Sequence, residues 1–198
     1  MHPAKHRFQN DVERYALAAR MVTHGVRLKT ICWWTGITRW RVKELYRAHA
    51  EQTDEKTCVR HRGPAPASAA IFLRNSVIRD ESGALAALCM ALGGIPARPV
   101  GNAFREVPTP GRGEILCRAY EMYRGVVGST SLTLENTLLL AVMIADGKEL
   151  SLGRCASCRA SIVHKPYASG GVYLCTECES RRGRARGIKD LFINSAPP

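Results

Sequence analysis

Apolar residues recur at helical spacing in several separate stretches of the chain. Between Asn10 and His24 they fall at Val12, Tyr15, Ala16, Ala19 and Val22, a recurrence at helical spacing. Asn10 and Glu13 are spaced as a capping box and Gly25 can end the run, so the pattern predicts a first helix over residues 10–24. Leu28 to Trp34 is a short apolar segment, Thr35-Gly36-Ile37 reads as a tight turn, and Thr38 can cap a helix reaching about Ala50. Helix, turn and helix thus follow within a few residues.

Residues 51–67 turn polar and then basic and proline-bearing, which predicts a linker. Residues 68–92 are rich in Ala, Leu and Ile and predict one or two core helices, with Gly83 as a possible break and Gly93-Gly94 as the stop. Residues 93–113 carry Pro96, Pro99, Pro108 and Pro110 among Arg98, Arg105 and Arg112, so regular structure cannot run throughout. Ile115, Leu116, Ala119, Met122, Tyr123 and Val126 then share one face of a helix, and Thr133 caps a second apolar helix ending near Gly147. The expected fold is mainly α: N-terminal helices with a helix-turn-helix-like segment (1–50), a linker (51–67), a helical core (68–150) with the proline-rich loop 93–113, a small C-terminal zinc-ribbon-like module built on four cysteines (151–180) and a basic tail (181–198).

Composition narrows the class. A chain of 198 residues that is 45% hydrophobic can bury a real core. Its longest apolar runs, such as residues 138–145, fall short of the ~18 to 20 residues of a membrane span, so no membrane association is expected. The N-terminus lacks the apolar core of a secretory signal, so the chain is expected to stay in the reducing cytoplasm. A net charge of +12, from 29 Lys and Arg against 17 Asp and Glu, implies an anionic partner, by default double-stranded DNA.

Eight cysteines in that compartment point to metal rather than disulfides. Cys155-Ala-Ser-Cys158 and Cys175-Thr-Glu-Cys178 are two C-x-x-C hooks separated by residues 159–174, a spacing at which paired hooks converge on one tetrahedral ion. Four thiolates select one structural Zn2+ per chain, although an iron–sulfur cluster or a redox C-x-x-C uses the same residues. The closed ligand set leaves no position for a reactive water and no H-E-x-x-H segment is present, so no catalytic residues and no enzymatic activity are expected. Residues 162–164 and 172–174 read as a two-strand hairpin around the glycine turn at 168–171, with His164 in a strand rather than among the ligands. Cys32, Cys58, Cys89 and Cys117 have no partner at ligand spacing, and Cys32, Cys89 and Cys117 read as core thiols.

Two basic features fit DNA. In the second helix of the helix-turn-helix candidate, Val42, Leu45 and Tyr46 can face inward while Arg39, Arg41, Lys43 and Arg47 face out toward a major groove. After the second hook, Arg181, Arg182, Arg184, Arg186 and Lys189 form a glycine-spaced cluster able to follow a phosphate backbone. Trp33, Trp34 and Trp40 equally suit a subunit interface, which leaves a zinc-ribbon protein-interaction module as the rival reading.

The segments ARMVTHGVRL at residues 19–28 and RVKELY at 41–46, with residues 117–123 and the four hook cysteines, resemble the FlhC family, zinc-binding subunits of the bacterial flagellar master regulator. The second segment is similar to the family's RLxKLYKE stretch. The resemblance implies a cytoplasmic subunit that joins an FlhD-like protein in a hetero-oligomer, binds promoters of flagellar operons and activates transcription with RNA polymerase, its four cysteines holding zinc. Between residues 63 and 113 the chain departs from the family, whose PFSTDWF aromatic cluster is replaced by Pro66-Ala67-Ser68-Ala69-Ala70-Ile71-Phe72.

Overall fold

The computed structural model describes residues 3–52, 63–166 and 173–182. In chain order its elements are α1 (Pro3–Thr23), α2 (Leu28–Thr35), α3 (Arg39–Gln52), α4 (Ala70–Leu73), α5 (Ser76–Ala91), α6 (Ala103–Glu106), α7 (Pro110–Val127), α8 (Leu134–Asp146), β1 (Ser151–Arg154) and β2 (Ser161–His164). The chain is mainly helical, and its four hook cysteines gather at the C-terminal side.

Helix α8 is the axis of the core because its sequence leaves it no polar face. Every residue from Leu134 to Ala145 except Asn136 is buried, as expected of a helix apolar all round. Its start is fixed by a capping box: Thr133 Oγ1 accepts from the Asn136 N–H and the Asn136 side chain accepts from the Thr133 N–H, at 3.1 and 3.0 Å. Gly147, in the left-handed region at φ 68°, ends it. Helices α5, α6 and α7 and strand β1 pack around this axis.

Helix α7 starts earlier than its apolar pattern predicts, with Thr109 as N-cap and Pro110 in the first turn, where its missing N–H costs nothing. The proline-rich stretch 93–113 therefore holds short α6 and the first turn of α7. The buried face of α7 also differs. Gly113, Leu116, Cys117, Ala119, Tyr120 and Tyr123 are buried, whereas Met122 and Val126 are 48% and 87% exposed. Helices α1, α2, α5 and α8 all contact α7, and at Gly113 a Cβ would sit 2.6 Å from Leu17 Cδ2 of α1. The neighbours select the buried arc, and they select one centred on Gly113, Tyr120 and Tyr123.

Helix α1 likewise extends beyond its predicted start, so Asn10 lies within it and the expected capping box is not the N-terminus. Its end is as expected, at Gly25 with φ 68°. Between α1 and α7, Arg20 bonds Glu114 and Glu121, and His24 Nε2 lies 2.7 Å from Glu121 Oε1. Helices α1, α2 and α3 pack on one another, and Gly36 at φ 70° closes α2 with its N–H on the Cys32 carbonyl at 2.9 Å.

Gly83 does not break α5; the helix runs through it. The glycine instead admits β2: a Cβ there would lie 2.3 Å from the Ser161 carbonyl oxygen and 2.6 Å from Ile162 Cα. Val163 of β2 and Leu150 join the main core. Strand β2 pairs antiparallel with β1, Leu152 opposite Val163, and of the strand the sequence pattern predicts at 172–174 the described residues 173 and 174 are not in a strand. The hairpin therefore brackets the first hook rather than the glycine turn, whose residues 168–171 lie outside those described.

Candidate metal centre and nucleic-acid interface

Strand β1 delivers the chain into Cys155-Ala156-Ser157-Cys158, and β2 leads it away. Two backbone bonds close this turn, Cys155 N–H to the Ala160 carbonyl at 2.7 Å and Arg159 N–H to the Cys155 carbonyl at 3.0 Å, with Arg159 in the left-handed region at φ 68°. The second hook is drawn alongside by Ala156 N–H donating to the Tyr173 carbonyl at 2.9 Å. Residues 176–182 are helical, so Cys175 precedes a helix and Cys178 sits on its first turn.

Helix α5 grips this second hook. Asp80 Oδ2 accepts from the Thr176 N–H at 2.7 Å, and the Arg79 guanidinium donates to the Leu174 carbonyl at 3.1 Å. No spacing rule flags Asp80 or Arg79, because their partners lie almost a hundred positions away in the chain.

The result is one cluster: the four Sγ atoms of Cys155, Cys158, Cys175 and Cys178 all lie within 4.8 Å of one another. Zn–S bonds of about 2.3 Å in a tetrahedron place sulfurs roughly 3.8 Å apart, so the set fits a single ion with minor contraction. Cys155 and Cys175 are buried, Cys178 is half-buried and Cys158 is exposed. Backbone N–H groups, first that of Cys158 and then that of Cys175, pull the Cys155 thiol down to about 6, whereas Cys175, pulled down by the Cys178 backbone, is pushed up on balance by burial and by its Cys158 and Cys155 neighbours. The four cysteines can hold a metal ion.

His164 stands outside the set. Its ring stacks on Tyr173 at 4.2 Å and covers Gly153, where a Cβ would meet Nε2 at 2.7 Å. Cys89 and Cys117 are buried in the core, where desolvation pushes both thiols up to about 12, and Cys32 is half-buried. Cys58 lies outside the described residues.

At the other end of the chain, α2, the turn at 36–38 and α3 form a helix-turn-helix. Val42 and Tyr46 are buried, the Tyr46 hydroxyl donating to the Val26 carbonyl, and Leu45 is half-buried. Arg39, Arg41, Lys43 and Arg47 are all exposed on the outer side of α3. Arg41 lies over the exposed Trp40 ring at 5.2 Å and Arg47 pairs with Glu44 at 3.1 Å, whereas Arg39 and Lys43 have no carboxylate partner among the described residues. Arg181 and Arg182 are exposed on the helix after the second hook, Arg181 bonded to Glu177 at 2.8 Å. Arg184, Arg186 and Lys189 lie outside the described residues.

No helix among the described residues is long and apolar enough to cross a membrane. Neither a protein-family model nor a curated protein matches the chain.

Proposed function

We propose that this chain is a non-enzymatic, cytoplasmic DNA-binding subunit of a transcriptional activator whose cysteine cluster holds one structural Zn2+. The observation that carries the reading is α3: a helix anchored through Val42 and Tyr46 that turns Arg39, Arg41, Lys43 and Arg47 outward in a chain of net charge +12. Such a helix suits a major groove, where guanidinium and ammonium groups neutralise phosphates and can reach the acceptors of guanine. Four thiolates favour zinc over harder ions, and a closed site suits scaffolding rather than hydrolysis.

The resemblance of residues 19–28 and 41–46 to the FlhC family supports a narrower version, in which an FlhD-like partner completes a hetero-oligomer at flagellar promoters and RNA polymerase is the target of activation. The exposed Trp33 and Trp40, at 39% and 62%, favour a protein-interaction module as the second reading. Titrating a labelled duplex with the protein across a salt series separates them. The DNA reading expects log affinity to fall linearly with log salt; no duplex binding at low salt, with or without the FlhD-like partner, would favour the protein-interaction module.

A further inference from the structure

Beside the helix-turn-helix lies a groove of about 1050 Å³ between α2, α3, residues 63–67, α6 and α8. Its size is at the upper end for small-molecule sites. Leu139 and Glu135 of α8, both buried, lie at its base, and Leu28, Pro64 and Pro66 add apolar surface. Trp33 and Phe104 flank it as a stacked pair at 6.1 Å, held by the Trp33 indole N–H on the Phe104 carbonyl at 3.1 Å. These rings are 39% and 46% exposed, a large apolar surface left to solvent on a groove wall.

Among the described residues, the charge that lines the groove without an opposite partner is all positive. Among the described residues the groove's one carboxylate, Glu135, is already satisfied by Arg27 and by the Thr30 hydroxyl, which donates at 2.6 Å. Lys29, Arg39 and Lys43 line the groove and have no carboxylate partner among the described residues. Arg39 and Lys43 are one helical turn apart on α3 and so present their charges to the same side.

We infer that this groove binds a small amphipathic organic anion, its apolar body against Leu28, Leu139, Trp33 and Phe104 and its carboxylate or similar head met by Lys29, Arg39 and Lys43. An uncharged ligand would leave three cations unused, and a bare inorganic anion would leave the apolar walls in water. Only a ligand with both parts matches the lining.

The probe is decanoate, titrated into the full-length protein by calorimetry, with decanol and inorganic phosphate as comparisons. Decanoate is expected to bind at one site per chain, and decanol and phosphate each at least about tenfold more weakly. The exposed double change Lys29→Gln with Lys43→Gln, which removes charge without touching the core, is expected to weaken decanoate about tenfold and leave decanol unchanged. Ala65→Trp, which fills the groove from its half-buried wall, is expected to block decanoate while the thermal midpoint stays within a few degrees. Equal affinity for decanoate and decanol, or for decanoate and phosphate, overturns the inference, as does decanoate binding unmoved by the charge change. The measurement uses protein without DNA, so it stands or falls apart from the DNA reading even though Arg39 and Lys43 belong to both surfaces.

Discussion

Helix α8 and the cysteine module sit next to each other in the chain and are held together by different means. In α8 burial is almost complete, and the ends are closed by Thr133, Asn136 and Gly147. Around the hooks, among the described residues, the separate buried cluster is Cys155, Ile162 and Cys175, with Tyr173, Leu174 and Cys178 packed against it. At about 25 cal/mol per Å² of apolar surface, burial stabilises the first region far more than the described residues of the second. A metal held by the four sulfurs would supply what the apolar residues there do not, and α5 ties the cysteine cluster to the core through Gly83, Arg79 and Asp80.

Removing the metal is the largest blow to that contrast. Structural zinc contributes on the order of 10–16 kcal/mol at neutral pH. Cys175→Ser, which removes a buried ligand, is expected to abolish metal binding and strip hydrogen-exchange protection from residues 151–166 and 173–182 while α7 and α8 stay protected. Retention of one metal per chain, measured by elemental analysis, would refute the ligand assignment. Leu140→Ala is the opposite case: it should cost about 2–5 kcal/mol of global stability through a cavity in the core, read by denaturant unfolding, yet leave metal content at one per chain.

Gly83→Ala probes the tie between the regions. Alanine for glycine inside a helix normally gains about 0.5–1 kcal/mol, but here the new Cβ meets the backbone of Ser161 and Ile162. The expected sign is therefore reversed, a loss of about 1–3 kcal/mol with loosened metal retention. A stabilised variant would show that β2 does not press on α5.

The smallest effect concerns acid. The hydrogen bond from Arg20, aided by the one from His24, holds the Glu121 carboxyl down to about 2 against an ordinary 4.5. A depressed carboxylate contributes stability above its unfolded value, and that contribution is lost as pH falls from about 4.5 toward 2. Glu121→Gln should therefore lower stability slightly at neutral pH, the pair being substantially exposed and screened, and flatten the acid limb of a stability-against-pH titration. An acid limb of the same steepness in the variant would show that this pair contributes nothing to it.

Sequence and structure agree at most local features, the Asn10–Glu13 capping box inside α1 being an exception. The Thr133 cap and Gly147 stop of α8, the Gly36 turn, the inward Val42 and Tyr46, and the spacing of the hooks all depend on residues a few positions apart. They diverge where a distant neighbour decides. Met122 and Val126 fit the helical stripe of α7 but face solvent, because α1 approaches at Gly113 and fixes a different arc. Gly83 looks like a helix breaker and is a close approach between α5 and β2. The strand partner of β2 is missed because β1 precedes the first hook, and four residues such as Ser-Leu-Gly-Arg carry almost no strand signal. Asp80 and Arg79, which order the second hook, are invisible for the same reason.

In the proposed DNA complex, α3 presents its basic face to the duplex. Each phosphate contact contributes about 0.9 to the slope of log affinity against log salt. The combined change Arg39→Gln, Lys43→Gln and Arg47→Gln, all at exposed positions, should therefore lower the slope for a labelled duplex by roughly 2 to 3 units with the fold intact by circular dichroism. A slope equal to that of the parent protein would contradict the account and remove α3 from the DNA interface.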